Sequence, residues 1–123
     1  MIKSLLMVGL GGGAGSMLRY LIQRWTQNTF VTAFPIGTFA INIIGCFLVG
    51  LLWGWFARNM NWNEEVKLLL ITGFCGGFTT FSAFTLESLG LLKDQKTNLF
   101  LIYIAGSLLA GLLATYTGLR LAK

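Results

Sequence analysis

Four apolar runs, each long enough to cross a lipid bilayer, occupy nearly the whole chain and leave only short polar stretches between them. A transmembrane helix needs about 20 predominantly apolar residues, so 123 residues have room for four such helices joined by short loops. The predicted spans cover approximately residues 4–24, 34–56, 64–92 and 98–121. We therefore expect an all-α membrane protein with one transmembrane domain, residues 1–123, and no soluble domain.

The scarcity of reactive side chains limits the chemistry that this chain can perform. It has four acidic residues, two cysteines and no histidine, and neither an activated nucleophile nor a metal cluster is evident, so we expect no enzyme. Cys46 and Cys75 lack the spacing of a zinc or redox motif and are interpreted as small packing residues. The net charge of +5 is spread around the apolar runs, which favours membrane anchoring over nucleic-acid binding.

The predicted links are short and polar, spanning residues 26–29, 58–63 and 93–97. Short links place successive helices antiparallel, so their basic residues can be assigned to two membrane faces. One face carries Lys3, Arg58, Lys67, Arg120 and Lys123. The other carries Arg24, Lys93 and Lys96, with Arg19 as a fourth if its side chain reaches outward. This small bias leaves open a single fixed orientation or insertion in both orientations. We predict the second, as an antiparallel, dual-topology homodimer that imitates the inverted repeats of larger transporters.

The third predicted span contains a marked anomaly. Gly73, Gly76 and Gly77, followed by Thr79 and Thr80, interrupt an otherwise apolar segment. We predict that this helix is broken near the middle of the membrane; the alternative is a continuous helix whose small residues serve packing. Unwound backbone at that depth is tolerated only where it is buried in protein or lines a wet cavity, and its freed carbonyl and amide groups can bind ions.

Polar side chains inside the spans are the candidate functional residues. Arg19 lies within the first span, where it either holds an anion or fixes structure by reaching the interface or capping carbonyl groups. Thr38 and Asn42 share one helix face, and Asn42 either links helices or donates to an anion. Glu87, the acidic residue inside the third span, either closes a chain of hydroxyl groups or pairs with a basic end.

Aromatic and hydroxyl side chains share helix faces in the last two spans. In the helix after the predicted break, one face carries Phe81, then either Phe84 or Thr85, and then Ser88. Ring edges carry positive quadrupole charge and can face an anion, although such a stripe more often belongs to a core. The fourth span carries a small and polar stripe: Tyr103, Ser107, Gly111 and Thr115. That stripe either flanks a hydrated path or packs closely against another span.

Three blocks of sequence, in order along the chain, carry a resemblance to a known family. They are residues 11–20 (GGGAGSMLRY), 37–42 (GTFAIN) and 76–84 (GGFTTFSAF). Together they resemble the Fluc (CrcB) family of fluoride channels, and the match spans the whole chain. The resemblance implies a multi-pass protein of the plasma (inner) membrane, surrounded by lipid. It also implies an antiparallel dimer whose two pores, each built from both subunits, passively release cytoplasmic fluoride.

The resemblance also implies roles for individual residues. Phe81 and Phe84 match the pore phenylalanines whose ring edges face fluoride, and Asn42 matches the amide donor. Backbone carbonyl groups of Gly76 and Thr79 would bind a structural sodium ion at the dimer interface. The remaining matched positions would attract anions or line the pore: Arg19 for attraction, and Thr38, Ser82, Glu87 and Thr115 for the polar lining.

One position departs from the family pattern, and two other classes of protein compete with a channel. Ala83 stands where the family usually has a second hydroxyl residue, which removes one possible hydrogen-bond donor from the pore. A proton-coupled small multidrug-type exporter would have a similar length, but it would need an acidic residue in its first span, where this chain has Arg19. A structural membrane subunit would explain the glycines but not the combination of helix break, aromatic and hydroxyl residues, and buried arginine.

Overall fold

The computed structural model describes residues 1–59 and 62–123, and every regular element in that part of the chain is helical. The elements are α1 (Ile2–Thr29), α2 (Ile36–Arg58), α3 (Glu64–Lys67), a π-helix (Leu68–Cys75), α4 (Gly76–Phe78), α5 (Phe81–Lys93) and α6 (Thr97–Leu121). The elements from α3 to α5 follow one another and form the third span, Glu64–Lys93. This span, α1, α2 and α6 are each long and apolar enough to cross a membrane.

The first helix is longer than the sequence predicts. Residues 26–29 were expected to form a polar link, but they continue α1 as far as Thr29. The Thr26 hydroxyl donates to the carbonyl oxygen of Gln23 at 3.0 Å. The last helical bond runs from the backbone amide of Phe30 to the carbonyl oxygen of Thr26 at 2.9 Å. A polar segment at the end of a span can remain helical because the helix satisfies its own backbone groups. Part of the second predicted link, residues 58–63, lies outside the described residues, namely Met60 and Asn61.

Glycines bring the helices together in two tightly packed pairs. The first helix packs along the third span, and α2 packs along α6. A Cβ atom at Gly11 or Gly15 would collide with the backbone carbonyl oxygens of Leu69 or Phe74. In the second pair, a Cβ at Gly50 would collide with the carbonyl oxygen of Thr115. Such close backbone approach is how helices associate in lipid, where no hydrophobic effect drives them together.

The third span is broken near its middle, as predicted. Thr79 (φ −82°, ψ 157°) and Thr80 (φ −148°, ψ 120°) are extended between α4 and α5. The Thr80 hydroxyl accepts a hydrogen bond from the amide of Ala83 at 3.2 Å and so caps the restarted helix. The break falls after the glycines rather than at them, because Gly73 and Gly77 remain helical and pack against the backbone of α1.

Candidate ion pathway

Asn42 supplies hydrogen-bond partners to the backbone of Thr80, at the start of the helix that follows the break. Its amide nitrogen Nδ2 donates to the carbonyl oxygen of Thr80 at 3.0 Å, and the backbone amide of Thr80 donates to Oδ1 at 2.9 Å. A carboxamide carries two N–H groups. Only one of them is used in this contact, so the second is available to another acceptor.

Two side chains of α1 bind a carbonyl group that the break leaves without its helical partner. The carbonyl oxygen of Gly77 accepts a hydrogen bond from Nε of Arg19 at 3.1 Å and one from Oγ of Ser16 at 3.4 Å. Arg19 was predicted to attract anions, and the structure places it directly on the broken helix. A guanidinium group has five N–H donors, and contacts among residues 1–59 and 62–123 use one of them, while the positive charge is held beside the break.

The break opens onto a cavity of about 390 Å³ between α2, the third span and α6. Most of its wall is apolar, and its polar side chains are one carboxamide, Asn42, and the hydroxyl groups of Thr72, Thr79, Thr80 and Ser107. Predicted site residues that line it are Asn42, Gly76, Thr79, Phe81 and Phe84. Ser107 of α6 also lines it. Among the described residues, the Ser107 hydroxyl is buried in the wall of this cavity without a hydrogen-bond partner.

The aromatic rings at this cavity form a short row. The ring centroids of Phe81 and Phe84 are 6.0 Å apart, and those of Phe84 and Tyr103 are 5.0 Å apart. Phe81 is 76% exposed although it is a large apolar side chain close to the centre of the third span. One side of this row therefore faces out of the protomer.

A chain of polar side chains lies beyond the row of rings. Gln23 Nε2 donates to the Thr38 hydroxyl at 3.1 Å, and that hydroxyl donates to Oε2 of Glu87 at 2.8 Å. The Tyr103 hydroxyl donates to Oε1 of the same carboxylate at 2.9 Å. A second cavity, about 140 Å³ in volume, is lined by Gln23, Thr38, Glu87 and the segment that joins α1 to α2. Glu87 therefore closes a chain of hydroxyl groups, one of the two alternatives left open by the sequence.

Three predicted site residues line neither of these two cavities: Arg19, which binds Gly77, and also Ser82 and Thr115. Ser82 is exposed, and its Oγ is 3.5 Å from Oγ1 of Thr80. The Thr115 hydroxyl donates to the carbonyl oxygen of Cys46 at 3.0 Å and so joins α6 to α2. The Thr115 hydroxyl therefore donates its proton to a bond between two helices.

Sequence reasoning missed Ser16 and Gln23 at the site. Both lie on the face of α1 that carries Arg19, at positions 16, 19 and 23, which repeat with helical spacing. That spacing was the available signal. It was hidden because Gln23 falls at the predicted end of the first span, where a polar residue needs no further explanation.

Comparison with known proteins places the chain in a family. The family model described as "CrcB-like protein, Camphor Resistance (CrcB)" matches residues 6–119. A protein of Phocaeicola vulgatus named "Fluoride-specific ion channel FluC" is 45% identical, and the alignment covers 99% of this chain and all of that protein. Proteins with the same name from Flavobacterium psychrophilum and Rhizobium etli are each 43% identical, with at least 98% of both chains covered.

These matches extend over the helices that form both cavities. Four apolar helices and relatives named as ion channels make this chain a multi-pass protein of the plasma membrane. The family assignment agrees with the resemblance carried by residues 11–20, 37–42 and 76–84. The chain belongs to the CrcB-like protein family.

Proposed function

We propose that this chain forms a fluoride-selective channel that passively releases fluoride from the cytoplasm. The observation that carries the proposal is the cavity at the helix break, where phenylalanine rings lie beside amide and hydroxyl donors. Asn42 has an unused N–H group there, and Ser107 has an unpartnered hydroxyl among the described residues. The curated relatives carry the name of a fluoride-specific channel.

The chemistry of the cavity suits a small, strongly hydrated anion. Hydroxyl and amide donors replace part of the hydration shell of an ion, as polar groups in a selectivity filter do. The positive edges of Phe81 and Phe84 add weak attraction without a fixed charge that would trap the anion. Arg19, held at the Gly77 carbonyl, contributes positive potential from behind the break.

We infer that the functional unit is an antiparallel homodimer in which each of two pores is built from both subunits. The exposed ring of Phe81 and the exposed backbone of Gly76 lie on the same cavity. A second copy would cover this face and complete the wall that one protomer leaves open. The nearly balanced distribution of basic residues is compatible with insertion in both orientations.

We also propose that a structural sodium ion binds at the centre of this dimer. In the described part of the chain, no hydrogen bond reaches the carbonyl oxygens of Gly76 or Thr79. Gly76 begins the short helix α4 and Thr79 is extended, so the break leaves both carbonyl groups without a helical partner. Such freed carbonyl groups are suitable ligands for sodium, and these two residues therefore fit the ion. When bound, sodium would add positive charge at the subunit interface.

Sodium dependence has a direct test. Replacing sodium with N-methylglucamine during purification and assay is expected to lower fluoride flux, with the protein kept in sodium as the control. Equal flux in both preparations, together with no ion density at the dimer centre, would contradict the proposed sodium site.

The competing functions have less support from the geometry. A proton-coupled exporter needs a carboxylate that exchanges protons for its substrate, and α1 contains none. The carboxylate in the third span, Glu87, accepts hydrogen bonds from two hydroxyl groups. A purely structural subunit would have no use for the buried, unpartnered hydroxyl of Ser107.

The proposed function is tested by anion efflux from liposomes that contain the purified protein. Fluoride and chloride are measured in parallel with selective electrodes, and valinomycin carries compensating potassium. We expect rapid fluoride release with negligible chloride release. No fluoride release, from vesicles shown to contain folded dimer, would contradict the proposal.

A further inference from the structure

The polar chain at the smaller cavity begins at a residue of α1 that neither the family blocks nor the sequence pattern singled out. Gln23 reaches Thr38 because α1 and α2 approach closely at Gly37. A Cβ atom at Gly37 would lie 2.5 Å from Oγ1 of Thr26 and 3.5 Å from Cα of Gln23. This approach brings the carboxamide of Gln23 within 3.1 Å of the Thr38 hydroxyl, which is 2% exposed.

The hydrogen-bond inventory fixes the direction of every bond in the chain. A threonine hydroxyl has one proton and an ionised carboxylate only accepts, so the proton of Thr38 points to Glu87 at 2.8 Å. Thr38 must then accept from Gln23, and Nε2 rather than Oε1 of the amide has to face it. The Tyr103 hydroxyl also points to Glu87. All three donors therefore point along the chain towards one carboxylate.

We propose that Gln23 is a positioning residue of the ion pathway, which holds the Thr38 hydroxyl in the orientation that donates to Glu87. This inference rests on the proposed fluoride conduction. With both hydroxyl bonds in place, the negative charge of Glu87 is partly satisfied close to Phe84, whose ring contacts Tyr103. Without Gln23, the Thr38 oxygen loses the donor that holds it in place, its bond to Glu87 is held less firmly, and the carboxylate charge repels the passing anion more strongly.

The test is a double-mutant cycle between Gln23 and Thr38, read as fluoride efflux from liposomes. Gln23→Leu is expected to lower efflux about tenfold, the effect of losing roughly one hydrogen bond. The same loss is expected when Gln23→Leu is combined with Thr38→Ser, because serine keeps the hydroxyl. Combined with Thr38→Val, which has no hydroxyl to orient, Gln23→Leu should produce no further loss.

Two outcomes would overturn the inference: unchanged efflux in Gln23→Leu, or an equal further loss in the Thr38→Val background. Asn28→Leu is the matched control, because Asn28 is an exposed amide on the same helix and lines neither cavity. It should conduct like the unmodified protein. Gln23→Met repeats the cycle if the leucine variant fails to fold.

The unmodified protein separates this inference from the proposed function. If it releases fluoride but the cycle shows no coupling, the role of Gln23 is wrong and the channel stands. If it releases no fluoride, the proposed function fails, and the positioning role that rests on it fails as well.

Discussion

At the scale of single residues, side chains at the break supply hydrogen bonds that the backbone supplies in an unbroken helix. Asn42 binds both the amide and the carbonyl of Thr80, and Arg19 binds the carbonyl of Gly77. Exposed backbone groups in a bilayer are costly, at several kcal/mol each, so a mid-membrane break requires such partners. Asn42 therefore both supports the break and lines the proposed pore, whereas Arg19 supports the break from behind.

Arg19→Lys separates the two roles considered for this residue. Lysine keeps the positive charge but lacks the Nε donor that binds Gly77. We expect fluoride efflux to fall and the free energy of unfolding to decrease by about 1.5–3 kcal/mol, the contribution of a charged hydrogen bond. Efflux from liposomes and thermal unfolding in detergent measure the two effects.

Arg24→Lys is the matched control, because Arg24 is exposed near the end of the same helix. It should leave both quantities unchanged. If Arg19→Lys also leaves both unchanged, the arginine acts only through its charge and does not hold the break.

Phe81→Ile and Phe84→Ile test the row of aromatic rings. Isoleucine retains an apolar surface but has no ring edge to face an anion. We expect each variant to release fluoride about fivefold more slowly, on the estimate that a ring contact contributes about 1 kcal/mol, while the elution volume on size exclusion stays that of the unmodified protein. Leu89→Ile, at an exposed position of α5, should conduct normally. Normal flux in both phenylalanine variants would exclude them from the pore.

At the scale of elements, the sequence predicts four helices, a broken third span and most of the residues around the break. Long apolar runs specify helices because a bilayer offers the backbone no other partner. The exact break was less predictable, because Gly73 and Gly77 serve packing against α1 while Thr79 and Thr80 are extended. The π-helix at Leu68–Cys75 has no sequence signal. Gln23 was missed because its partner, Thr38, is fixed by tertiary packing alone.

The packing role of glycine predicts a sharp contrast between two alanine variants of the third span. A Cβ at Gly77 would collide with the backbone of Gly12, whereas a Cβ at Gly90 would meet nothing within 4 Å. We expect Gly77→Ala to lower the thermal midpoint in detergent strongly or to prevent folding. Gly90→Ala should be neutral or should stabilise the helix by up to about 1 kcal/mol. Equal midpoints for the two variants would contradict the packing described for α1 and the third span.

At the scale of the whole molecule, one protomer presents an unfinished surface. The cavity at the helix break exposes Phe81 and Gly76, and apolar side chains such as Leu109 and Leu113 point outward, as expected in lipid. An antiparallel second copy would complete the cavity. In the proposed dimer, the charge balance between the two faces would be a functional property, because copies of the chain would have to insert in both orientations.

This dependence on orientation is testable by biasing the charge of one membrane face. Asn59→Lys with Glu64→Lys adds positive charge to one face, and Gln27→Lys with Asn28→Lys adds it to the other. Each pair should favour one orientation, so that either variant expressed alone forms few antiparallel dimers and cells lose resistance to fluoride. Co-expression of the two variants should restore resistance. Full resistance from either variant alone, with a single orientation shown by cysteine labelling, would rule out the antiparallel dimer.

The measurement that tests the central claim most directly is the reversal potential of the protein in a planar bilayer with a tenfold fluoride gradient and equal chloride on both sides. A passive fluoride-selective pore predicts a potential of about 59 mV, because a tenfold gradient corresponds to about 1.4 kcal/mol per unit charge. The potential should not change when a pH gradient is imposed. A potential near zero, or one that follows the proton gradient, would contradict the account.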